Sequence, residues 1–291
     1  MFLLADDHNP HAICVYIDVI LNNVVIASFF NEAKKNTPFF DSVKIYYPIF
    51  EFYDSNEEIF SNTSRLNNKK PKKSNIGNVI LAGDGLDYED NEIGEDGTCS
   101  CGFLARNRAN PNINYIGTAG HCFTNQDYYL LPWNSSTREN LESIGQTAFE
   151  ATSPQDFGLI HISNNDVQPR AAIRNTNPLF TELLIKDGNA VSSHGAYLCL
   201  SGYSTHVTCG YIKALFGFYF EEDSFSEDVT VVSVKSAIGD SGGPMFRYQL
   251  DLRHVSLNGI SLGGYGDKLT VVTKLDLILD LEGVNIELVT V

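Results

Sequence analysis

The chain has 291 residues, of which 43% are apolar, and a formal net charge of −16 at pH 7. This length accommodates a large domain with a smaller one, or two halves that share a core, and the apolar content excludes wholesale disorder. Nearly all of the acidic excess follows residue 77. Such a surface repels nucleic acid and anionic membranes, so we expect neither as a partner.

The start of the chain contains a candidate hairpin and no targeting signal. Two apolar runs, at 17–21 and 24–30, flank Asn22-Asn23, and this pattern predicts two strands joined by a turn. Asp18 and the two asparagines interrupt the longest apolar runs, so no transmembrane segment is predicted. The first residues lack a basic segment and a long apolar run, and they do not form a signal peptide. Either the natural chain begins earlier or the protein is not secreted.

Residues 61–78 form a break in composition, because serine, asparagine, lysine and proline replace most of the apolar residues. The segment predicts an exposed linker between residues 1–60 and residues 79–291. Its basic run at 69–73 has two interpretations: a solvated spacer, or a cleavage site between a pro-region and a mature domain.

The remainder of the chain predicts short strands and one terminal helix. Glycine, asparagine, aspartate and proline separate β-type runs at 103–105, 115–118, 158–162, 196–200, 229–234, 255–260 and 269–274. Regular short strands of this kind are typical of a barrel or a sandwich. Apolar residues at helical spacing in 275–281, followed by Gly283, predict a short helix.

The six cysteines indicate disulfides rather than a metal centre. None of them forms a Cys-x-x-Cys pair, and we predict neither a metal nor a cofactor. Cys199 and Cys209 lie ten residues apart across a turn-like segment, and either Cys99 or Cys101 could reach Cys122. Two disulfides would imply an oxidising compartment.

Three segments predict nucleophilic catalysis. Ser241 lies in Gly-Asp-Ser-Gly-Gly-Pro, His121 in Thr-Ala-Gly-His-Cys, and Asp156 precedes Phe-Gly-Leu-Ile at a strand start. A nucleophilic serine needs a base, and the base needs an anionic group to orient it. The order His, Asp, Ser, together with Pro244 after the serine, excludes the nucleophile elbow of α/β-hydrolases. Cys122 can fix the neighbouring histidine, which distinguishes it from the six other histidines.

These segments resemble the chymotrypsin-like serine peptidases, and within them the streptogrisin and α-lytic branch. Further similarity lies in Cys-Ser-Cys-Gly-Phe at 99–103, Cys-Leu-Ser-Gly at 199–202 and Gly-Gly-Tyr-Gly at 263–266. Residues 15–27 resemble the end of the branch's pro-region. The resemblance therefore spans nearly the whole chain, and the two motifs around the histidine and the serine are its most specific part.

The resemblance implies an all-β fold of two six-stranded antiparallel β-barrels of the trypsin-like type, with a C-terminal helix. A small α+β pro-region in residues 1–60 would precede the peptidase domain in 79–291. His121 and Asp156 would lie on the first barrel and Ser241 on the second. In this arrangement His121 takes the proton of Ser241, Asp156 orients the imidazole, and the N–H groups of Gly239 and Ser241 bind the oxyanion.

The sequence departs from the branch near the nucleophile. Ala237 and a residue near Lys268 stand where the branch often has a disulfide, so that bond is absent. Leu200 replaces the basic residue that usually pairs with the aspartate next to the nucleophile. A buried carboxylate without a partner is costly, so we expect an amine, a guanidinium or a water beside Asp240.

The resemblance also bears on the disulfides and on the substrate pocket. It pairs Cys199 with Cys209, and Cys99 with Cys122, although period-two alternation leaves Cys101 as an alternative to Cys99. By its spacing, Lys235 falls near the base of the primary pocket, either as a rim residue or as a residue that favours acidic substrate side chains. Ser261 and Gly263 are expected to line the pocket through backbone pairing with substrate.

The sequence therefore predicts an extracellular, monomeric serine endopeptidase that acts on peptides and proteins. A catalytically silent homologue that serves as a binding module is the alternative. A third hypothesis is an intact chain held latent, with residues 1 to about 78 acting as an intramolecular inhibitor that blocks the cleft.

Overall fold

Short β-strands dominate the chain, as the regular turn residues predict. A computed structural model describes residues 2–55, 79–90, 95–123, 127–133, 141–221 and 224–291. The helices are α1 (Phe2–His8), α2 (Thr37–Val43) and α3 (Leu275–Asp280). In chain order the strands are β1 (Ile13–Asp18), β2 (Asn23–Phe29), β3 (Ile49–Tyr53), β4 (Val79–Ala82), β5 (Gly85–Asp90), β6 (Glu95–Ser100), β7 (Phe103–Asn107), β8 (Asn114–Thr118), β9 (Asp127–Leu131), β10 (Glu142–Ala151), β11 (Phe157–Ile162), β12 (Gln168–Arg174), β13 (Glu182–Gly188), β14 (Tyr197–Gly202), β15 (His206–Ala214), β16 (Gly217–Phe220), β17 (Phe225–Glu227), β18 (Thr230–Val232), β19 (Pro244–Tyr248), β20 (His254–Gly264), β21 (Thr270–Lys274) and β22 (Ile286–Leu288).

Six of these strands close into an antiparallel barrel. Their order is β14-β15-β18-β21-β20-β19, and β19 closes the ring because it pairs with both β20 and β14. The barrel interior is apolar and includes Leu198, Leu200, Ile212, Met245 and Val272. The predicted all-β class with a closed six-stranded barrel is confirmed.

A second sheet contains eight strands in the order β22-β7-β8-β11-β10-β9-β5-β6. The pairings of the described residues do not close this sheet, so the second six-stranded barrel stays a prediction. A shared core joins the two sheets and includes Phe103 and Phe157 from one sheet and Phe246 and Leu257 from the other. The two sheets, each of which carries candidate catalytic residues near the end of a strand, are thereby held together.

The predicted C-terminal helix is present as α3, which begins at Leu275 and ends at Asp280. Gly283 lies just beyond it with a φ of +83°, a conformation that favours glycine. The chain then returns to the eight-stranded sheet, where β22 pairs with β7. None of the described helices combines the length and the hydropathy needed to cross a lipid bilayer.

Residues 2–55 form a unit that we call the N-terminal lobe. The predicted hairpin is present, because β1 and β2 pair antiparallel, but its first strand ends at Asp18, and residues 19–22, which include most of the run predicted as strand, form the turn. Strand β3 pairs parallel with β2, and helix α2 covers the sheet with the buried side chains of Phe39, Phe40 and Val43. Strand β1 also pairs with β16, so the lobe and the hairpin β16–β17 make one five-stranded sheet.

The division of the chain into a pro-region, a linker and a peptidase domain stays a prediction. The N-terminal lobe contains both helices and strands, in accord with the expected α+β composition of residues 1–60. The predicted linker at 61–78, with its basic run, lies outside the described residues.

Candidate active site

The structure brings His121 and Asp156 together because their flanking strands are neighbours. His121 lies in a single 3-10 turn after β8, Asp156 lies just before β11, and β8 pairs with β11. The carboxylate engages the histidine twice, with Oδ2 2.6 Å from Nδ1 of the ring and Oδ1 3.0 Å from the backbone nitrogen. Gly120 permits this approach, since a Cβ there would overlap the carbonyl of Ala151.

The pKa of His121 results from two opposing effects. Burial lowers it, because a charged imidazolium is less well solvated in the cleft, whereas the negative charge and hydrogen bond of Asp156 raise it. A smaller contribution in the same direction comes from the charge of Glu221. The carboxylates prevail, and the pKa of His121 lies above its ordinary value.

Ser241 lies in a tight turn between β18 and β19. Gly239 and Gly242, on either side of it, have φ angles of +97° and +83°, which L side chains rarely adopt. Among the described residues, neither the N–H of Gly239 nor that of Ser241 donates a hydrogen bond, so both donors remain available to a ligand. An anion that forms beside the serine could therefore accept from both.

One cleft contains the predicted catalytic residues. His121, Asp156 and Ser241 all line it, together with Ser261 and Gly263, and its volume is about 620 Å³. In the described part of the chain no hydrogen bond joins the Ser241 hydroxyl to the His121 ring. In unliganded enzymes such bonds are often long and tighten only with substrate.

The protein partners of Asp240 are neutral donors, and not the amine or guanidinium that were two of its three expected partners. Its carboxylate accepts backbone N–H bonds from Ser204, Thr205 and Ala237 at 2.8, 3.0 and 2.9 Å. The hydroxyl of Thr205 donates a fourth bond at 2.7 Å. Burial raises the pKa of Asp240, and these four bonds oppose that increase. Among the described residues no amine or guanidinium bonds it, and the β14–β15 turn supplies three of its four donors.

Two serines that the sequence analysis missed hold the peptide groups around Gly239. Ser204 Oγ donates to the carbonyl of Ile238 at 2.6 Å, and Ser100 Oγ donates to the carbonyl of Gly239 at 2.7 Å. The N–H of Ser100 also donates to the carbonyl of Ser241 at 2.8 Å. The planar Ile238–Gly239 peptide carries the Gly239 N–H, so the bond from Ser204 fixes the direction of that donor.

Both predicted disulfides are present, Cys99–Cys122 and Cys199–Cys209. Among the described residues the alternative partner Cys101 is free and buried, and burial raises the pKa of its thiol. The first disulfide is next to His121, where its sulfurs approach the ring closely enough to resemble a metal site. Disulfide sulfur is not a thiolate, so this group does not offer the ligands of a metal centre.

Ser261 and Gly263 line the cleft, whereas Lys235 is not among its lining residues, and the predicted backbone pairing of Ser261 and Gly263 with substrate stays a prediction. Lys235 is exposed and outside the cleft, and its carbonyl accepts a 2.7 Å bond from Thr208. The adjacent Ser236 lines the cleft instead. Successive residues of an extended segment point to opposite sides, so an offset of one residue moves the side chain from the cleft to the solvent.

The N-terminal lobe contributes one wall of the same cleft. Its lining residues are His11, Ala12, Phe29, Asn31, Glu32 and Ser55. The ring of His11 lies between two carboxylates, with Nδ1 3.1 Å from Glu32 and Nε2 3.6 Å from Glu221, which lies outside the lobe. No local motif marks these residues in the sequence, because they reach the cleft only through the pairing of β1 with β16.

No protein-family model and no curated protein matches this sequence. Several solved structures are similar. Protease A of Thermobifida fusca has 21% identity and a TM-score of 0.57, and a Nocardiopsis protease has 20% and 0.58. The Cellulomonas bogoriensis chymotrypsin has 20% identity and a TM-score of 0.55. Each similarity covers 73% of this chain and 100% of the other. The chain therefore has the fold of the chymotrypsin-like serine proteases.

Proposed function

We propose that this protein is a serine endopeptidase that cleaves peptide bonds through an acyl-enzyme intermediate. The observation that supports this best is the pairing of His121 with the buried Asp156 in the cleft that also contains Ser241 and two unused backbone donors. A fold shared with serine proteases raises the expectation of this chemistry without assigning it to the chain.

In the proposed mechanism Ser241 Oγ attacks the carbonyl carbon of the scissile peptide, and its proton passes to Nε2 of His121. Asp156 holds the proton on Nδ1 and stabilises the imidazolium that forms. His121 then protonates the leaving amine as the carbon–nitrogen bond breaks. Water, activated by the same imidazole, releases the acyl group and restores Ser241.

The N–H groups of Gly239 and Ser241 would bind the negative oxygen of the tetrahedral intermediate. The loss of one such donor typically slows a serine protease by roughly 10²–10³-fold. Four bonds fix the side chain of Asp240 between the two donors, and Ser100 and Ser204 hold the adjoining carbonyls. The donors are thus positioned before the substrate arrives, which is the condition for their effect.

The test is hydrolysis of an unfolded protein substrate, measured as newly formed amino termini. We expect turnover by the full chain and none above background by Ser241→Ala. Ser193→Ala is the matched control, since Ser193 is an exposed serine outside the cleft and should leave turnover unchanged. Peptide binding without turnover, equal in both variants, would instead support the silent binding module.

We also propose an extracellular location, because two disulfides form and persist in oxidising compartments. The predicted monomeric state remains an expectation. The inhibitory role predicted for the N-terminal region is also still an expectation. The contacts between the lobe and the rest of the chain bear directly on that role.

A further inference from the structure

Two strands of the closed barrel are apolar on both faces. On β18 and β21, Val232 and Val272 point into the barrel interior, while Val231 and Val271 belong to a separate apolar cluster on the outside. These four valines are each at most 2% exposed. A barrel strand that faces water usually alternates apolar and polar residues, so this outer face requires a cover.

The N-terminal lobe is that cover. Cys14 and Tyr16 from β1, with Val25 and Ala27 from β2, pack into the outer cluster with Val231 and Val271. The other members belong to residues 79–291, which we call the catalytic part, and are Ala214, Tyr219, Val229, Leu262, Tyr265 and Leu269. Four residue pairs join β1 to β16, so backbone pairing continues across the boundary. Removal of the lobe would expose both the apolar face and a sheet edge.

The lobe also holds a wall of the cleft through Tyr265. This residue is 1% exposed and lies in the loop whose glycines, among them Gly263 and Gly266, line the cleft. Its hydroxyl lies 3.0 Å from the carbonyl of Ala12 and 3.1 Å from that of Ala27, both in the lobe. Its ring lies 4.8 Å from Phe29 and 5.2 Å from Tyr53, measured between centroids.

The lobe lines the cleft without filling it. A volume of about 620 Å³ remains beside the candidate catalytic residues with the lobe in place, which lies within the usual range for ligand pockets. A contact across the boundary, with Nε2 of His11 3.6 Å from a carboxylate oxygen of Glu221, brings a side chain of the lobe into the same space.

We propose that the N-terminal lobe is a permanent part of the working enzyme. After any cleavage within residues 56–78, the lobe stays bound to the catalytic part as a non-covalent second chain and continues to shape the substrate cleft. The lobe is then a structural subunit and not an inhibitor that must be removed. The test below measures both activity and co-elution of the fragments. The activity measurement rests on the proposed peptidase function, and the co-elution measurement does not.

The experiment introduces a recognition site for a highly specific protease within residues 61–78 and cuts the purified full chain. We expect both fragments to co-elute in size-exclusion chromatography at micromolar concentration, and the cut complex to hydrolyse substrate at the rate of the uncut chain. Activity should disappear when the lobe is stripped off with mild denaturant, and return when it is added back. Separation of the fragments under native conditions, or activity that rises when the lobe is removed, would overturn the proposal.

A second variant tests the anchor without threatening the fold. Tyr265→Phe removes only the hydroxyl that reaches the lobe, and we expect KM to rise about two- to tenfold with a smaller effect on kcat, the range for one hydrogen bond. Tyr46→Phe is the control, because Tyr46 lies on the lobe and is 55% exposed. Fragments that co-elute but show no turnover refute the peptidase proposal while supporting retention. Fragments that separate and leave an active catalytic part do the reverse.

Discussion

Replacement of Ser204 by alanine should slow the chemical step without weakening substrate binding. The Ser204 hydroxyl donates to the carbonyl of Ile238 at 2.6 Å. That carbonyl belongs to the same planar peptide as the N–H of Gly239, one of the two proposed oxyanion donors. Without the bond, this peptide can rotate and direct the N–H away from the cleft. Ser204 does not line the cleft and therefore acts as a positioning residue.

The size of the effect follows from the bond that is lost. A hydrogen bond of this kind contributes about 0.5–1.5 kcal/mol, which corresponds to a factor of about 2 to 10 in the population of the correct peptide orientation. Complete loss of the donor would cost roughly 10²–10³-fold, which sets the upper limit. Ile238 is 71% exposed, so water can partly replace the serine and the smaller range applies. We expect kcat to fall about 2- to 10-fold.

The assay compares kcat, KM and the affinity for a peptide boronate, which mimics the tetrahedral intermediate. Ser204→Ala should lower kcat and boronate affinity by the same factor and leave KM within about twofold, since only transition-state binding changes. Ser204→Thr retains the hydroxyl and should recover most of the loss. A variant with weaker substrate binding and unchanged boronate affinity would refute this role of Ser204.

Three other perturbations give further tests. Asp156→Asn removes the charge that raises the pKa of His121, so kcat/KM should fall by about 10⁴-fold. The acidic limb of the pH–rate profile, measured on the remaining activity, should move to lower pH, and an unmoved limb would contradict this. Gly202→Ala places a Cβ on the carboxylate of Asp240, and displacement of the nucleophile turn should cost about 100-fold in kcat with β-sheet circular dichroism preserved. Replacement of both Cys199 and Cys209 by alanine opens a cross-link with a sequence separation of 10 residues, and urea titration should show a free energy of unfolding lower by roughly 2–3 kcal/mol; an unchanged midpoint would contradict it.

The candidate catalytic residues could be selected from the sequence because their signal is local and chemical. The glycines around Ser241 and the cysteine after His121 leave few other interpretations of these two segments than a nucleophile turn and a fixed histidine. The strand start at Phe157 placed Asp156 correctly, because the antiparallel pairing of β8 with β11 brings both ends together. Cys99 was also chosen correctly over Cys101, although alternation alone leaves both on one strand face.

The surroundings of the site were harder to predict, for three physical reasons. Reasoning from charge suggested an amine, a guanidinium or a water beside Asp240, but the backbone donors that a turn supplies have no sequence signature. Lys235 was expected at the base or the rim of the pocket, but Ser236 lines the cleft, because a shift of one residue reverses the side of an extended segment. The N-terminal lobe covers the barrel through the pairing of β1 with β16, and these strands are about 200 residues apart, so no local pattern predicts the contact. One signal was present, since the runs Val231-Val232 and Val271-Val272 are apolar on both faces.

The most direct test of the proposed mechanism is covalent labelling by diisopropyl fluorophosphate, located by peptide mapping and mass spectrometry. An activated serine should take up one phosphoryl group per folded chain, at Ser241 alone. His121→Ala should abolish the adduct, and so should denaturation before labelling. A folded chain that remains unmodified at Ser241, or that is modified equally after denaturation, would contradict the proposed mechanism.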